Sequence, residues 1–160
     1  MGSTSDLPVM EKACKWLDDN EIPFEVNALS AHRTPDAVEA FAKGAQERGI
    51  KVIIAAAGMA AALPGVIAAS TNLPVIGVPI KGMLDGLDAM LSIIQMPPGI
   101  PTATVGVNAA QNAAILAAQI ISLSDSAVAA KVAAHKAGLG AKIEKANKDL
   151  AEVKYNFNTN

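Results

Sequence analysis

The stretch VIIAAAGMAAALPGVIAA, residues 52–69, decides the fold. It is long enough to raise the question of a membrane span, which takes about 20 apolar residues. It is also rich in alanine and broken by Gly58, Pro64 and Gly65. Lipid-facing backbone does not tolerate such a break, because no water is present to satisfy the freed amides and carbonyls. A strand, a loop and a helix account for the same residues without that cost. Val52, Ile53 and Ile54 are apolar in succession, as in a strand buried on both faces. Pro64 suits the first turn of a helix. The reading is a soluble α/β chain, not a membrane protein.

The flanking sequence repeats this alternation. Helices are predicted from Pro8 to Asn20, from Ala37 to about Arg48, from Leu63 onward, from Asp85 to Gln95, and from Asn108 to about Leu123. Gly49 is placed to close the second of these. Strands are predicted over residues 24–29, Lys51 to Ala56, Leu73 to Val78 and Thr102 to Val107, and a polar helix over residues 125–152. Alternating strands and helices, with strands apolar on both faces, predict a parallel sheet covered on both sides. With no internal repeat or linker, 160 residues make a single domain, residues 1–160. Its core is residues 1–123, and residues 124–160 form a C-terminal helix and tail.

One element is missing from this pattern. The loop Gly2-Ser3-Thr4-Ser5-Asp6 heads a helix and ought to follow a strand. Either the sequence as read starts after that strand, or another segment fills its place. The alternating tail Val153-Lys154-Tyr155-Asn156-Phe157 is a candidate.

Composition narrows the function. A net charge of −2 and a pI near 5.6, with no basic cluster, give no reason to expect nucleic acid. The single cysteine, Cys14, excludes an intrachain disulfide framework and fits a reducing cytoplasm. No basic stretch followed by an apolar segment opens the chain, so a secretory signal is not expected. Between Val52 and Ser124 the only charged residues are Lys81, Asp85 and Asp88. The helix NAAQNAAILAAQIISLS is small and apolar around most of its circumference, which predicts burial on nearly all sides and a homo-oligomer.

In parallel sheets ligands bind where loops leave the carboxyl ends of strands. In GSTSD, hydroxyls and the amides of the following helix suit a phosphate, and Asp6 can accept from sugar hydroxyls. Helix capping by Ser5 or Asp6 explains the same residues. In SAHRTP, residues 30–35, Arg33 can clamp a phosphate or carboxylate and His32 can exchange a proton near neutrality. A capped helix with a surface His and Arg is the plainer reading. The loop AAAGMAAALPG offers backbone rather than side chains, room for a flat ligand and amides for a carboxylate. His135, beside Lys136 in a polar helix, reads as a solvated surface residue, and Cys14 as core. No Cys/His cluster, nucleophile elbow, phosphate-loop lysine or GxGxxG fingerprint is present.

Together, MGSTSDLPVM, LSAHRTPDAVEAFA, ERGIKVIIAAAG, ALPGVIAA, LPVIGVP, LDAMLSIIQMPPGIPTATV and NAAILAAQI resemble the class I N5-carboxyaminoimidazole ribonucleotide mutases of bacterial purine biosynthesis. They cover most of residues 1–123, in order. The resemblance implies a flavodoxin-like three-layer αβα fold with a protruding C-terminal helix, assembled as an octamer. It implies migration of a carboxylate from N5 to C4 of an aminoimidazole ribonucleotide, without metal or cofactor. Ser3, Ser5, Asp6 and Arg33 would hold the ribose phosphate. Ser30, Ala57, Gly58 and Leu63 would line the ring and carboxylate pocket, and His32 would shuttle the proton. The family usually reads AGAGGAAHLPG at the third loop. Here Ala56 and Met59 stand for glycines and Ala62 for a histidine. The alternatives are a non-catalytic phosphosugar- or flavin-binding module, a pseudoenzyme oligomer, and the related carboxylase class. An aromatic content of 3% argues against stacking a flavin. A lysine is expected in the carboxylase class where Arg33 stands.

Overall fold

The computed structural model describes residues 1–158. A 3-10 turn, Thr4–Asp6, leads into α1 (Leu7–Asp19). Then come α2 (Pro35–Gly44), β1 (Ile53–Gly58), α3 (Leu63–Ala69), β2 (Val75–Ile80), α4 (Leu87–Ile94), β3 (Ala103–Thr104), α5 (Ala110–Ser122) and α6 (Ser126–Ala151). Among the described residues the strands form one parallel sheet, ordered β1-β2-β3. The β1–β2 ladder is regular from Ile53 opposite Val75 to Gly58 opposite Ile80.

The two-residue period of a strand sorts the apolar residues into two cores. On one face Ala56, Ile76 and Val78 pack with Met10, Ala13, Trp16 and Leu17 of α1 and the alanines of α5. On the other, Ile53, Ala55, Ala57 and Val75 pack with Val38 of α2, Leu63 and Ile67 of α3, and Ala89 and Ile93 of α4. The result is the expected three-layer αβα arrangement. Ile76, Ile93, Val38 and Val78 are fully enclosed, each contributing about 1.5–3 kcal/mol relative to exposure. Gly77 has no side chain because Ile93 occupies the space: a Cβ there would stand 2.4 Å from its Cγ2.

Several elements depart from the sequence reading. Residues 24–29 are not a sheet strand; they run as an irregular stretch hydrogen-bonded to Met1. A strand needs a ladder partner, and among the described residues only Met1 bonds this stretch backbone to backbone. The tail Val153–Phe157 is no strand either; it leaves α6 through turns with Tyr155 and Phe157 exposed. β3 is shorter than expected, because only Ala103 and Thr104 reach β2 in register. α2 stops at Gly44 and continues as turns to Gly49, whose φ of +84° is the left-handed geometry that glycine accepts. α5, by contrast, keeps its expected burial: Ala110, Ala113, Ala114, Ala117 and Ala118 are enclosed, and the sheet, α1 and α6 leave only Gln111, Asn112 and Gln119 of its residues exposed.

His135 is not a solvated residue. α6 packs over α1 and α5, and the indole Nε1–H of Trp16 donates to His135 Nδ1 at 3.3 Å, with the rings edge to face. Beyond it the helix is exposed, including Leu139, Ile143 and Leu150. Among the described residues no helix is long and apolar enough to cross a membrane.

Candidate active site

The GSTSD and SAHRTP loops meet. Ser3 caps the 3-10 turn by accepting from the Ser5 N–H, and Asp6, next in line, is buried. Asp6 makes no capping bond to α1, so the cap explains Ser3 and not Asp6. The Ser5 hydroxyl is exposed and makes a long 3.4 Å contact to Asp6 Oδ1.

SAHRTP forms a tight turn in front of α2. The Ser30 hydroxyl accepts from both the Arg33 backbone N–H and its Nε–H, each at 3.2 Å. The Thr34 hydroxyl accepts from the Ser30 N–H and donates to the Ser30 carbonyl. Arg33 then reaches out of its own loop and donates from Nη2 to the Gly2 carbonyl at 3.1 Å. That bond fixes the guanidinium beside the serine loop, where its remaining N–H groups face solvent. His32 sits on the same turn, exposed, and among the described residues nothing hydrogen-bonds its ring. An imidazole held by its backbone alone is free to meet a ligand.

The third loop lies at the carboxyl end of β1. Ala57 is buried, and Gly58 brings the backbone within 3.4 Å of the Ile80 carbonyl, measured from where a Cβ would stand. Leu63 does not present its side chain to the turn that carries His32; it is 3% exposed and belongs to the core under α2 and α3. Met59 has φ +54° and is 64% exposed. This is the left-handed conformation that glycine adopts without penalty and that costs other residues about 1–2 kcal/mol. Ala62 precedes α3 and makes no side-chain cap.

The sequence reading did not single out two polar groups at this end of the sheet. The Asn108 side chain accepts from the Lys81 backbone N–H at 2.8 Å, and its own N–H donates to the Pro79 carbonyl, tying the loop after β2 to the start of α5. Lys81 pairs with Asp85 at 2.9 Å. The available signal was that Lys81 is the sole cation between Val52 and Ser124. Among the described residues no three His, Cys, Asp or Glu side chains converge as a metal site would require. The hydroxyls, guanidinium and helix-start amides suit a phosphorylated sugar, the bare backbone of β1's end suits a flat ring, and an exposed imidazole on the Arg33 turn is a group able to move a proton.

A family model described as AIR carboxylase matches residues 1–142. The N5-carboxyaminoimidazole ribonucleotide mutase of Pyrococcus horikoshii is 51% identical over 154 residues, covering 96% of this chain and 87% of that protein. The enzyme of the same name from Thermotoga maritima is 49% identical over 156 residues, covering 97% and 91%. The crystal structure of Treponema denticola PurE superposes with a TM-score of 0.79 at 31% identity, covering 97% of this chain and 96% of that one.

Proposed function

The chain belongs to the AIR carboxylase family, and from that premise we propose that its reaction turns on the imidazole of His32. The activity is that of an N5-carboxyaminoimidazole ribonucleotide mutase on a flavodoxin-like α/β fold, converting its substrate to 4-carboxy-5-aminoimidazole ribonucleotide in de novo purine biosynthesis.

The chemistry asks for one proton carrier and a closed floor. Protonated His32 gives its proton to N5 of the carbamate, the N5–carboxyl bond breaks, and carbon dioxide is released. The ring is then an enamine-like nucleophile at C4. C4 attacks the retained carbon dioxide, forming the new carbon–carbon bond, and the C4 proton returns to His32. No proton is gained or lost over the cycle, so one imidazole suffices. Holding carbon dioxide beside C4 is a proximity effect, and general acid–base action contributes about 100- to 10,000-fold.

The observation that carries this reading is the Arg33–Gly2 bond, which puts the histidine turn against the serine loop. Ser3, Ser5, Asp6 and Arg33 hold the phosphoribosyl part, remote from the chemistry, so its binding energy fixes the ring. Ser30, Ala57 and Gly58 border the ring and carboxylate. Leu63 acts through its main chain, since its side chain points into the core. The domain is residues 1–160, with its core in residues 1–123.

The working unit is a homo-oligomer, an octamer as in the class I enzymes, in the cytoplasm. Leu87, Leu91 and Ile94 make an exposed stripe along α4, extended by Met83 and Leu84 ahead of the helix, that a second copy would cover. The decisive experiment is incubation of the purified chain with the N5-carboxylated ribonucleotide while watching for the C4 product. Formation of that product without added nucleotide or metal is expected; substrate that only loses carbon dioxide would overturn the reading.

A further inference from the structure

The loop that follows β2 is strained. Leu84, Asp85 and Gly86 hold φ of +47°, +54° and +88° in succession, and only the last is a glycine. The left-handed region is unfavourable for a residue that carries a side chain. The loop folds back over its own start. A Cβ on Gly86 would stand 3.3 Å from the Lys81 Cα and 2.7 Å from Val107 Cγ1. Lys81 Nζ lies 2.9 Å from Asp85 Oδ1, with both side chains exposed. A surface pair of that kind is worth no more than one left-handed non-glycine residue costs, and this loop holds two. The stability of the pair therefore does not account for the loop. Strained backbone of this sort gathers at ligand sites.

The root of Lys81 is fixed as well. Asn108 Oδ1 accepts from the Lys81 N–H, and the Asn108 N–H donates to the Pro79 carbonyl, each at 2.8 Å. Asn108 is itself left-handed, at φ +57°. The β1–β2 ladder ends at Gly58 opposite Ile80. Met59 and Lys81 are the next residues out, on backbones about 5 Å apart. Lys81 therefore leaves the sheet beside the backbone loop at the end of β1, and it is the one cation between Val52 and Ser124. In the mutase reaction the substrate carries two anionic groups. The serine loop and Arg33 take the phosphate. The carboxylate, before and after it migrates, is bordered by Ser30, Ala57 and Gly58, none of which carries a charge.

We propose that Lys81 is the counter-cation of the migrating carboxylate, and that Asp85 is the partner it exchanges for the ligand. The assignment rests on the mutase reading and adds to it the side chain that recognises the carboxylate. Carbon dioxide is neutral, so the contact is strong in substrate and product and is lost as the N5–carboxyl bond breaks. An interaction that is stronger in the ground state than in the transition state contributes to binding and not to kcat. That separates the part of Lys81 from the part of His32.

The test compares the binding of two ribonucleotides that differ only in the carboxylate: 4-carboxy-5-aminoimidazole ribonucleotide and 5-aminoimidazole ribonucleotide, which lacks it. For Lys81→Met the Kd of the carboxylated nucleotide is expected to rise by about tenfold or more, as on removal of a hydrogen bond to a charged group, while the Kd of the other stays unchanged. KM for the N5-carboxylated substrate should rise in parallel, with kcat unchanged or higher. Lys81→Arg should restore most of the affinity. Asp85→Asn, which releases the ammonium from its pair, should tighten the carboxylated nucleotide alone. Equal weakening of both nucleotides, or a lowered Tm with neither affinity changed, is the mark of a merely structural lysine and overturns the proposal. So does a fall in kcat at unchanged KM. Should Lys81→Met not fold, Asp85→Asn carries the test, and an unchanged preference between the two nucleotides overturns the proposal. The unsubstituted chain tells this failure from failure of the mutase reading: binding and turnover that Lys81→Met leaves intact remove only the role of Lys81, whereas a chain that binds neither nucleotide removes both.

Discussion

Two kinds of loop meet at the carboxyl ends of the strands, and they are built oppositely. GSTSD and SAHRTP are held by side-chain hydrogen bonds on an exposed surface, within SAHRTP through Ser30 and between the two loops through Arg33, which donates to the Gly2 carbonyl. The loop after β1 carries almost none; it is backbone, set down by the burial of Ala57, Ala61 and Leu63. In the first pair position is held by polar contacts that a single substitution removes. In the second it is held by packing, which most substitutions would shift rather than abolish. The comparison predicts that changes in the polar loops fall on turnover and binding, and changes in the backbone loop fall on stability.

The largest effect belongs to His32. Replacing it by Asn keeps a polar side chain of similar reach but removes the proton carrier, and kcat is expected to fall by about 100- to 10,000-fold with the fold and assembly unchanged. A variant that turns over at near-normal rate would remove the distinction between the two kinds of loop. Arg33→Ala comes next: KM should rise by about tenfold or more, the equivalent of roughly 1.4 kcal/mol or more of binding, with a smaller change in kcat. An unaltered KM would show that the guanidinium serves the loop and not a ligand. Met59→Gly tests the backbone loop. It relieves a left-handed residue and should stabilise the chain by about 1 kcal/mol, visible as a raised denaturation midpoint. Destabilisation would mean that the exposed Met59 side chain has a packing partner in the assembly.

The smallest effect concerns Cys14. Burial raises its thiol above the ordinary 9.0, with Glu11 pushing the same way against its own helix backbone. A raised pKa means that the folded chain keeps the proton longer. The associated stability is present below 9.0 and is lost as pH rises through the folded value. Labelling near pH 8 should therefore be slower than for an unfolded control and should accelerate with pH. Labelling at the unfolded rate would show that burial does not govern the thiol.

Much of the layered architecture was legible from periodicity. The succession of apolar residues at Val52–Ile54 and Val75–Ile76 marks strands covered on both sides, and each forms in the sheet within two residues of its expected start. Residues 24–29 have the same local preference and form no strand, because strand formation is a property of a pair. His135 was misread for a related reason: a polar helix looks solvated until a distant indole is packed against it. At the site, the residue types of SAHRTP pointed to proton transfer and anion binding. The contact between Arg33 and Gly2 was not legible, since nothing local couples positions 31 residues apart.

By itself, then, the sequence determined the order of elements, the two-sided burial of β1 and β2, and the concentration of hydroxyl, guanidinium and imidazole at loops ahead of helices. These follow from side-chain periodicity and local chemistry, which short segments carry alone. Only the tertiary structure decided which loops touch, which histidine is free and which is held, and that β1 is zipped to β2 in a parallel ladder. Those outcomes depend on backbone hydrogen bonds and packing between segments far apart in the chain, and no window of sequence contains both partners.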